Sequence, residues 1–248
     1  MGRTFQLTRK QLLRGRFITF EGSEGTGKST QVSLLVQALR RAGIVKPIAT
    51  REPGGSAGAE KIRRLLMEGN SGQWDGITDA LLHFAARRDH LVRTIGPALA
   101  GGRWVICDRY TDSTLAYQGS GLGVNIAQLR ALVAIVAGEF VPDLTIILDL
   151  PPEIGLNRII ARKNYNTDKV EITRYEQMDF SFYLRLSRAF HTIAAAEPNR
   201  CVIVDANQDV PTVHAAVRKI VAERLRINLL VPEEGGDKDL ATRKSEEI

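Results

Sequence analysis

The chain has 248 residues, 44% of them hydrophobic and 25% charged, a balance that excludes collagen-like, mucin-like and wholly disordered proteins. One domain of this length buries a core without disulfide or metal staples. The formal net charge of +6 is compatible with nucleic acid, an anionic membrane or small anionic substrates, and its location decides among them.

The opening residues carry Arg3, Arg9, Lys10, Arg14 and Arg16 with no acid, so much of the basic excess sits in an N-terminal extension, residues 1–15, outside the expected fold. That argues against nucleic-acid binding. The extension has no apolar core of a signal peptide, and no uninterrupted apolar run approaches the roughly 18 residues of a bilayer span. A cytoplasmic protein without membrane contact is expected. The two cysteines, Cys107 and Cys201, sit in apolar runs and read as buried strand residues in a reducing compartment.

Residues 16–21 (RFITFE) form a short β-branched and aromatic run entering the glycine-rich GSEGTGKST, the pattern of a strand feeding a tight loop. Apolar residues recur at helical spacing over 28–42 and stop at Gly43. A second strand is expected over 45–50, before REPGGSAG. Helices follow over 60–67 and 77–95, then a strand ending in charge, RWVICDRY (103–110). Residues 126–137 read as helix, 143–150 (DLTIILDL) as a fully buried strand and 153–162 as helix. The polar stretch 163–173 reads as a mobile loop, within a lid spanning about 158–174. Helix resumes to about 197, and strand 200–205 and helix 213–225 close the fold. Residues 229–248 form a charged tail that buries too little to order itself.

Strands alternating with helices, each strand apolar throughout, predict an α/β three-layer sandwich of the P-loop NTPase type. Its five-stranded parallel sheet would be covered on both faces, and residues 16–228 would make this one domain. Ligands bind beyond the carboxyl ends of such strands. That rule gathers GSEGTGKS, REPGG, DRY and the segment after LDLP at one edge.

Gly22, Gly27, Lys28 and Ser29 match G-x-x-x-x-G-K-[ST] between a strand and a helix, the context the motif needs. Gly22, Ser23, Glu24, Gly25, Thr26, Gly27, Lys28, Ser29 and Thr30 would wrap the phosphates of a nucleoside triphosphate. Lys28 would reach the β and γ phosphates, and Ser29 would ligate Mg²⁺. No NKxD element of a GTPase is present, and GSEGTG does not supply the dinucleotide fingerprint. A small-molecule kinase is the economical reading.

Together, EGSEGTGKST, TREPGG, ICDRYTDSTLAYQG and PDLTIILDLPPEIGLNR closely resemble bacterial thymidylate kinases, over about residues 17–225. The resemblance implies phosphorylation of dTMP to dTDP with MgATP, in a homodimer. It implies that Arg51 and Arg109 hold the dTMP phosphate and that Arg63 lines the same pocket. The family's thymine pocket pairs a stacking aromatic with an arginine four residues on. Counting back from Arg87 reaches His83 rather than Phe84, so the stacking place lies between those two. Ser113, Thr114, Tyr117 and Gln118 complete the pocket, Tyr117 crowding the sugar 2′ position. Glu24 matches an acid near the acceptor's 3′-hydroxyl and phosphate, while Asp108 is expected to contact Mg²⁺ through water, with Asp149 a weaker rival. The phosphate loop lacks an arginine, so charge in the transition state would be met from the lid by Arg158, Arg162 or Arg174, in that order. The alternatives are a kinase for another nucleotide, and a non-catalytic nucleotide- or nucleic-acid-binding protein.

Overall fold

The computed structural model describes residues 15–70, 72–165 and 174–229. The extension up to residue 14, the stretch 166–173 and the tail from 230 onward lie outside the described residues. Five strands make one parallel sheet: β1 (Phe17–Glu21), β2 (Ile48–Arg51), β3 (Val105–Asp108), β4 (Leu144–Asp149) and β5 (Cys201–Asp205), in the order β2-β3-β1-β4-β5. The order reverses between β1 and its two neighbours, which opens a crevice at the carboxyl ends of the central strands.

Period-two alternation distributes each strand between two cores. Ile18 and Phe20 of β1, Ile106 of β3 and Leu144, Ile146 and Leu148 of β4 pack on one face under α1 (Lys28–Arg41) and α9 (Val210–Leu225). The helical stripe of α1 that meets them is Val32, Leu35, Val36 and Leu39. On the opposite face, Phe17, Val105 and Cys107 meet Leu91, Ile95 and Leu99. Ile147 and Cys201 meet α8 (Phe180–Ala196) there through Phe182, Leu186 and Phe190. Helices therefore cover both faces of a five-stranded parallel sheet, as the sequence predicts. Both cysteines are free and buried.

Several boundaries differ from the sequence reading, each for a local reason. β2 begins at Ile48, not residue 45: Lys46 adopts a left-handed φ of 46°, Pro47 has no amide to donate, and Val45 is 73% exposed. α3 (Gly76–His90) does not stop at 95 but continues through a π turn, Leu91–Ile95, into α4 (Gly96–Ala100). The stretch after β3 is also helical, as α5 (Thr111–Thr114) and a second π turn, Leu115–Gly121. α2 (Ala57–Met67) starts earlier than residue 60, with Ser56 accepting from the Ala59 amide as N-cap. α6 (Ile126–Val136) and α7 (Pro152–Tyr165) lie close to their expected places. Downstream of the polar stretch a 3-10 turn, Arg174–Gln177, precedes α8, whose cap is Asp179.

Candidate active site

The carboxyl ends of β1, β2 and β3 and the middle of α7 border a cavity of about 460 Å³. Its donor side is the loop between β1 and α1. Gly22 and Gly25 take left-handed φ of 132° and 75°, and both pack against backbone. A Cβ on Gly22 would lie 2.5 Å from the Leu148 carbonyl oxygen, and one on Gly25 2.4 Å from that of Gly155. Only glycine meets both demands. Gly27 caps α1 without a side-chain acceptor, so the first helix amides face the cavity as an anion site.

Lys28 is buried in this loop, its Nζ donating to the carbonyl oxygens of Gly22 (3.1 Å) and Ser23 (2.6 Å) and to Thr26 Oγ1 (3.3 Å). Burial, and then Arg109, push its pKa down to about 8. Ser29 Oγ donates to Asp108 Oδ2 at 2.6 Å. A hydroxyl and a carboxylate side by side at the loop's mouth are the hard oxygen donors Mg²⁺ prefers. No cluster of three or more His, Cys, Asp or Glu side chains among the described residues is placed to hold a metal. Such a site suits an ion that takes one or two protein oxygens and the rest from phosphates and water.

Three guanidiniums line the other side. Arg51 reaches Glu60 (3.2 Å) and Arg63 NH1 donates to the Pro53 carbonyl (2.7 Å), after the cis Glu52–Pro53 bond. Arg109 sits in the left-handed region at φ 71°, a conformation that costs a non-glycine residue about 1–2 kcal/mol. Its contacts hold it there: NH1 donates to the Gly22 carbonyl (2.9 Å) and Ser113 Oγ (3.1 Å), and NH2 to Glu24 (3.1 Å). The guanidinium lies over the Tyr117 ring at 4.7 Å, and Tyr117 donates to both oxygens of Glu24 (2.7 and 2.8 Å). Burial, then Arg51 and more weakly Arg109, lower the pKa of Arg63, so the three cations feel one another across the cavity.

Deeper in, Arg87 is 2% exposed and every arm is placed: Nε donates to Glu52 (2.7 Å), NH1 to Thr114 Oγ1 (3.0 Å) and NH2 to the Tyr110 carbonyl (2.9 Å). Burial raises the Glu52 carboxyl, but Arg87 and His90 outweigh it and hold it below its ordinary range. His83 lines the cavity with its Nε2 2.8 Å from Tyr175 Oη. Burial, against the pull of Asp79, pushes His83 down to about 4 and keeps it neutral.

Phe84 does not reach the cavity. It is 2% exposed and packs with Ala80, Val124, Leu129 and Val136, because one step along α3 turns the side chain by about 100°. His83, one turn before Arg87 on the same face of α3, lines the cavity beside it. Arg174 does not stand in a lid either. It is 1% exposed, paired with Asp79 and donating from Nε to the Leu66 carbonyl (2.9 Å). Arg158 lines the cavity, its guanidinium 3.4 Å from the carbonyls of Gly25 and Ala206. The Arg162 side chain lies outside the described residues. Asp149, the rival to Asp108, pairs instead with His191 at 3.0 Å.

Sequence reasoning did not find Glu21, Glu52, Asp79 or Tyr175, which hold the site from behind. Glu52 had a signal, an acid fixed inside REPGG. Asp79 and Tyr175 had none, since charge alone does not reveal which residue a distant segment will cover.

A family model described as thymidylate kinase matches residues 20–217. A curated thymidylate kinase of Afipia carboxidovorans is 47% identical, over 88% of this chain and 93% of that relative. One from Rhodopseudomonas palustris (strain BisB18) is 50% identical, over 86% of this chain and 90% of its own length. The crystal structure of thymidylate kinase from Ehrlichia chaffeensis superposes with a TM-score of 0.67 at 32% identity, covering 84% of this chain and 98% of that one. With a model matching most of the chain and relatives near half identity spanning both partners, the chain belongs to the thymidylate kinase family.

Proposed function

We propose that this chain transfers the γ-phosphoryl group of ATP to dTMP, giving dTDP. The observation that carries the reading is that the phosphate loop and the Arg51, Arg63, Arg109 and Arg87 set line one cavity, so donor and acceptor would meet without water between them. The curated relatives' name points to the same acceptor.

The acceptor phosphate is already an anionic nucleophile, so no side chain needs to act as general base. What the chain supplies is position and charge. Arg51, Arg63 and Arg109 would clamp the dTMP phosphate with forked donors. Glu24, held by Arg109 and Tyr117, would fix the guanidinium and stand beside the sugar, where the Tyr117 ring crowds the 2′ position. His83 would stack on the base, with Arg87 and Gln118 at its polar edge. Lys28 would leave its carbonyl partners for the β and γ phosphates, and Arg158 would neutralise charge spreading over the transferring group. Ser29, directly, and Asp108, through water, are the residues that would hold Mg²⁺, whose charge would offset that of the phosphates.

ADP formation with MgATP tests the reading, with dTMP, dUMP, UMP, dCMP and AMP offered in turn. The expected result is the highest kcat/KM for dTMP, with UMP at least about tenfold below dUMP because the ribose hydroxyl meets Tyr117. A preference for another monophosphate would discard the thymine pocket, and no turnover in protein shown to bind ATP would discard the kinase.

We also propose a homodimer built on α3 and α6. Ile77 (40%) and Leu81 (49%), one turn apart on α3, and Ile126 (38%) on α6 are exposed, and an exposed apolar face favours burial in a two-fold pair. Sedimentation at micromolar concentration should give twice the chain mass; a monomer would refute the assignment. No helix among the described residues is long and apolar enough to cross a membrane.

A further inference from the structure

Glu21, the last residue of β1, is a fully buried acid that the phosphoryl-transfer scheme above leaves unused. Its two oxygens are both engaged, and both partners belong to the segment that presents Arg109. Oε1 accepts the Tyr110 amide at 2.7 Å and Oε2 accepts the Ser113 hydroxyl at 2.5 Å. Ser113 Oγ in turn lies 3.1 Å from Arg109 NH1. A guanidinium only donates, so Ser113 accepts from Arg109 and gives its single proton to Glu21. A carboxylate that takes this proton polarises the hydroxyl and strengthens its hold on the guanidinium. A neutral group in its place would occupy a serine lone pair and leave the hydroxyl proton without an acceptor.

We propose that Glu21 is a positioning residue for Arg109, acting through Ser113 and the Tyr110 amide, and that as a carboxylate it tightens dTMP binding; this rests on the dTMP kinase reading above. Arg109 needs such support because its left-handed backbone is itself unfavourable.

The surroundings make the device sensitive near neutral pH. Burial, then Asp112 on α5, push Glu21 up to about 7, against the pull of Ser113, Arg109 and the Tyr110 amide. Asp112 is itself held by both arms of Arg200 (2.6 and 3.0 Å). Lys28 on α1 also faces Glu21. The thiols of Cys107 on β3 and Cys201 on β5 feel it too, but burial keeps both protonated. Above about pH 7 the carboxylate state prevails and Arg109 is held; below it Glu21 resembles a glutamine.

The test is the ratio of dTMP KM in Glu21→Gln to that of the wild type across pH, which cancels the substrate's own titration. Loss of a charge-assisted bond is expected to give a ratio of about ten at about pH 8.5 that declines toward one at about pH 6, with kcat at saturating dTMP changed less than about threefold. Ser113→Ala should give a ratio that also falls as the pH is lowered, but to a value above one because Ser113 itself lines the cavity and accepts from Arg109, and the double variant should be no worse than Ser113→Ala alone. A ratio that is flat with pH, at any value, overturns the proposal, as does additivity in the double variant. Thermal melting checks each fold; should Glu21→Gln fail to fold, Ser113→Ala alone carries the test, and a flat ratio for it has the same force. Wild-type protein without dTMP turnover would overturn the functional reading, whereas normal turnover with a flat ratio overturns only the role of Glu21.

Discussion

Lys28→Ala is expected to lower kcat by about 10²–10³-fold or more, the loss seen when one preorganised donor is removed from developing charge, while the Kd for dTMP changes less than about threefold. The lysine belongs to the donor half of the cavity. Its ammonium rests on the carbonyls of Gly22 and Ser23 at the cavity wall, from which it would turn to the β and γ phosphates. The acceptor half stands on other elements: Arg51 ends β2, Arg63 is on α2, Arg87 on α3, and Arg109 follows β3. The halves are joined by Arg109, which donates to the Gly22 carbonyl (2.9 Å) and to Glu24 (3.1 Å), and by Tyr117, which donates to Glu24; none of these bonds is made by the Lys28 side chain, so only a modest shift in dTMP affinity is expected. Calorimetric titration with dTMP alone, beside steady-state rates, separates the two. Equal losses in affinity and rate would mean the halves are not independent.

The same residue has a pH signature. With its pKa near 8 in the free protein, Lys28 loses charge as the pH rises through 8, so kcat/KM for ATP should decline there. Bound triphosphate favours the charged form, so kcat should hold to higher pH. A kcat/KM profile flat from about pH 7 to 9.5 would contradict the depressed ammonium.

The sequence disclosed the sheet and the phosphate loop because both rest on local patterns. A strand buried on two faces reads as an unbroken apolar run, and glycines at left-handed positions leave a spacing that survives any context. What it did not disclose depends on distant partners. The run TDSTLAYQGSG carries hydroxyls and glycines of poor helix propensity. It is nonetheless helical, because Ser113 is tied to Glu21, while Gly119 and Gly121 let its backbone approach Ile126 and Phe182 (a Cβ at either would lie 2.5 Å away). Similarly, the i to i+4 spacing of His83 and Arg87 marked a shared face of α3, whereas which of His83 and Phe84 lines the cavity depended on where α6 packs.

Arg174 shows the same limit for charge, and yields the second large expected effect. Arg174→Ala should cost about 3–5 kcal/mol of stability, the usual loss when one partner of a buried ion pair is removed. For a domain of this size that lowers Tm by roughly 6–20 °C. Both Arg174 and Asp79 are almost fully buried. The arginine joins the Leu66 carbonyl of α2 to Asp79 of α3 and lies 4.9 Å over the Tyr175 ring. Asp79 also accepts from Tyr175 (2.7 Å) and Gln118 (3.0 Å). Without the guanidinium a carboxylate stays in the interior with two neutral donors, too few to offset its lost hydration. Asp79→Asn should be similarly damaging, now leaving the cation alone. Replacing both by leucine should cost less than the two single losses added together, because no unpaired charge remains. Thermal melting and kinetics well below Tm together decide the assignment. A lid arginine would give the opposite result, an unchanged Tm with kcat reduced a hundredfold or so. A structural pair gives a large fall in Tm with kcat in the folded fraction held within severalfold, since neither member lines the cavity.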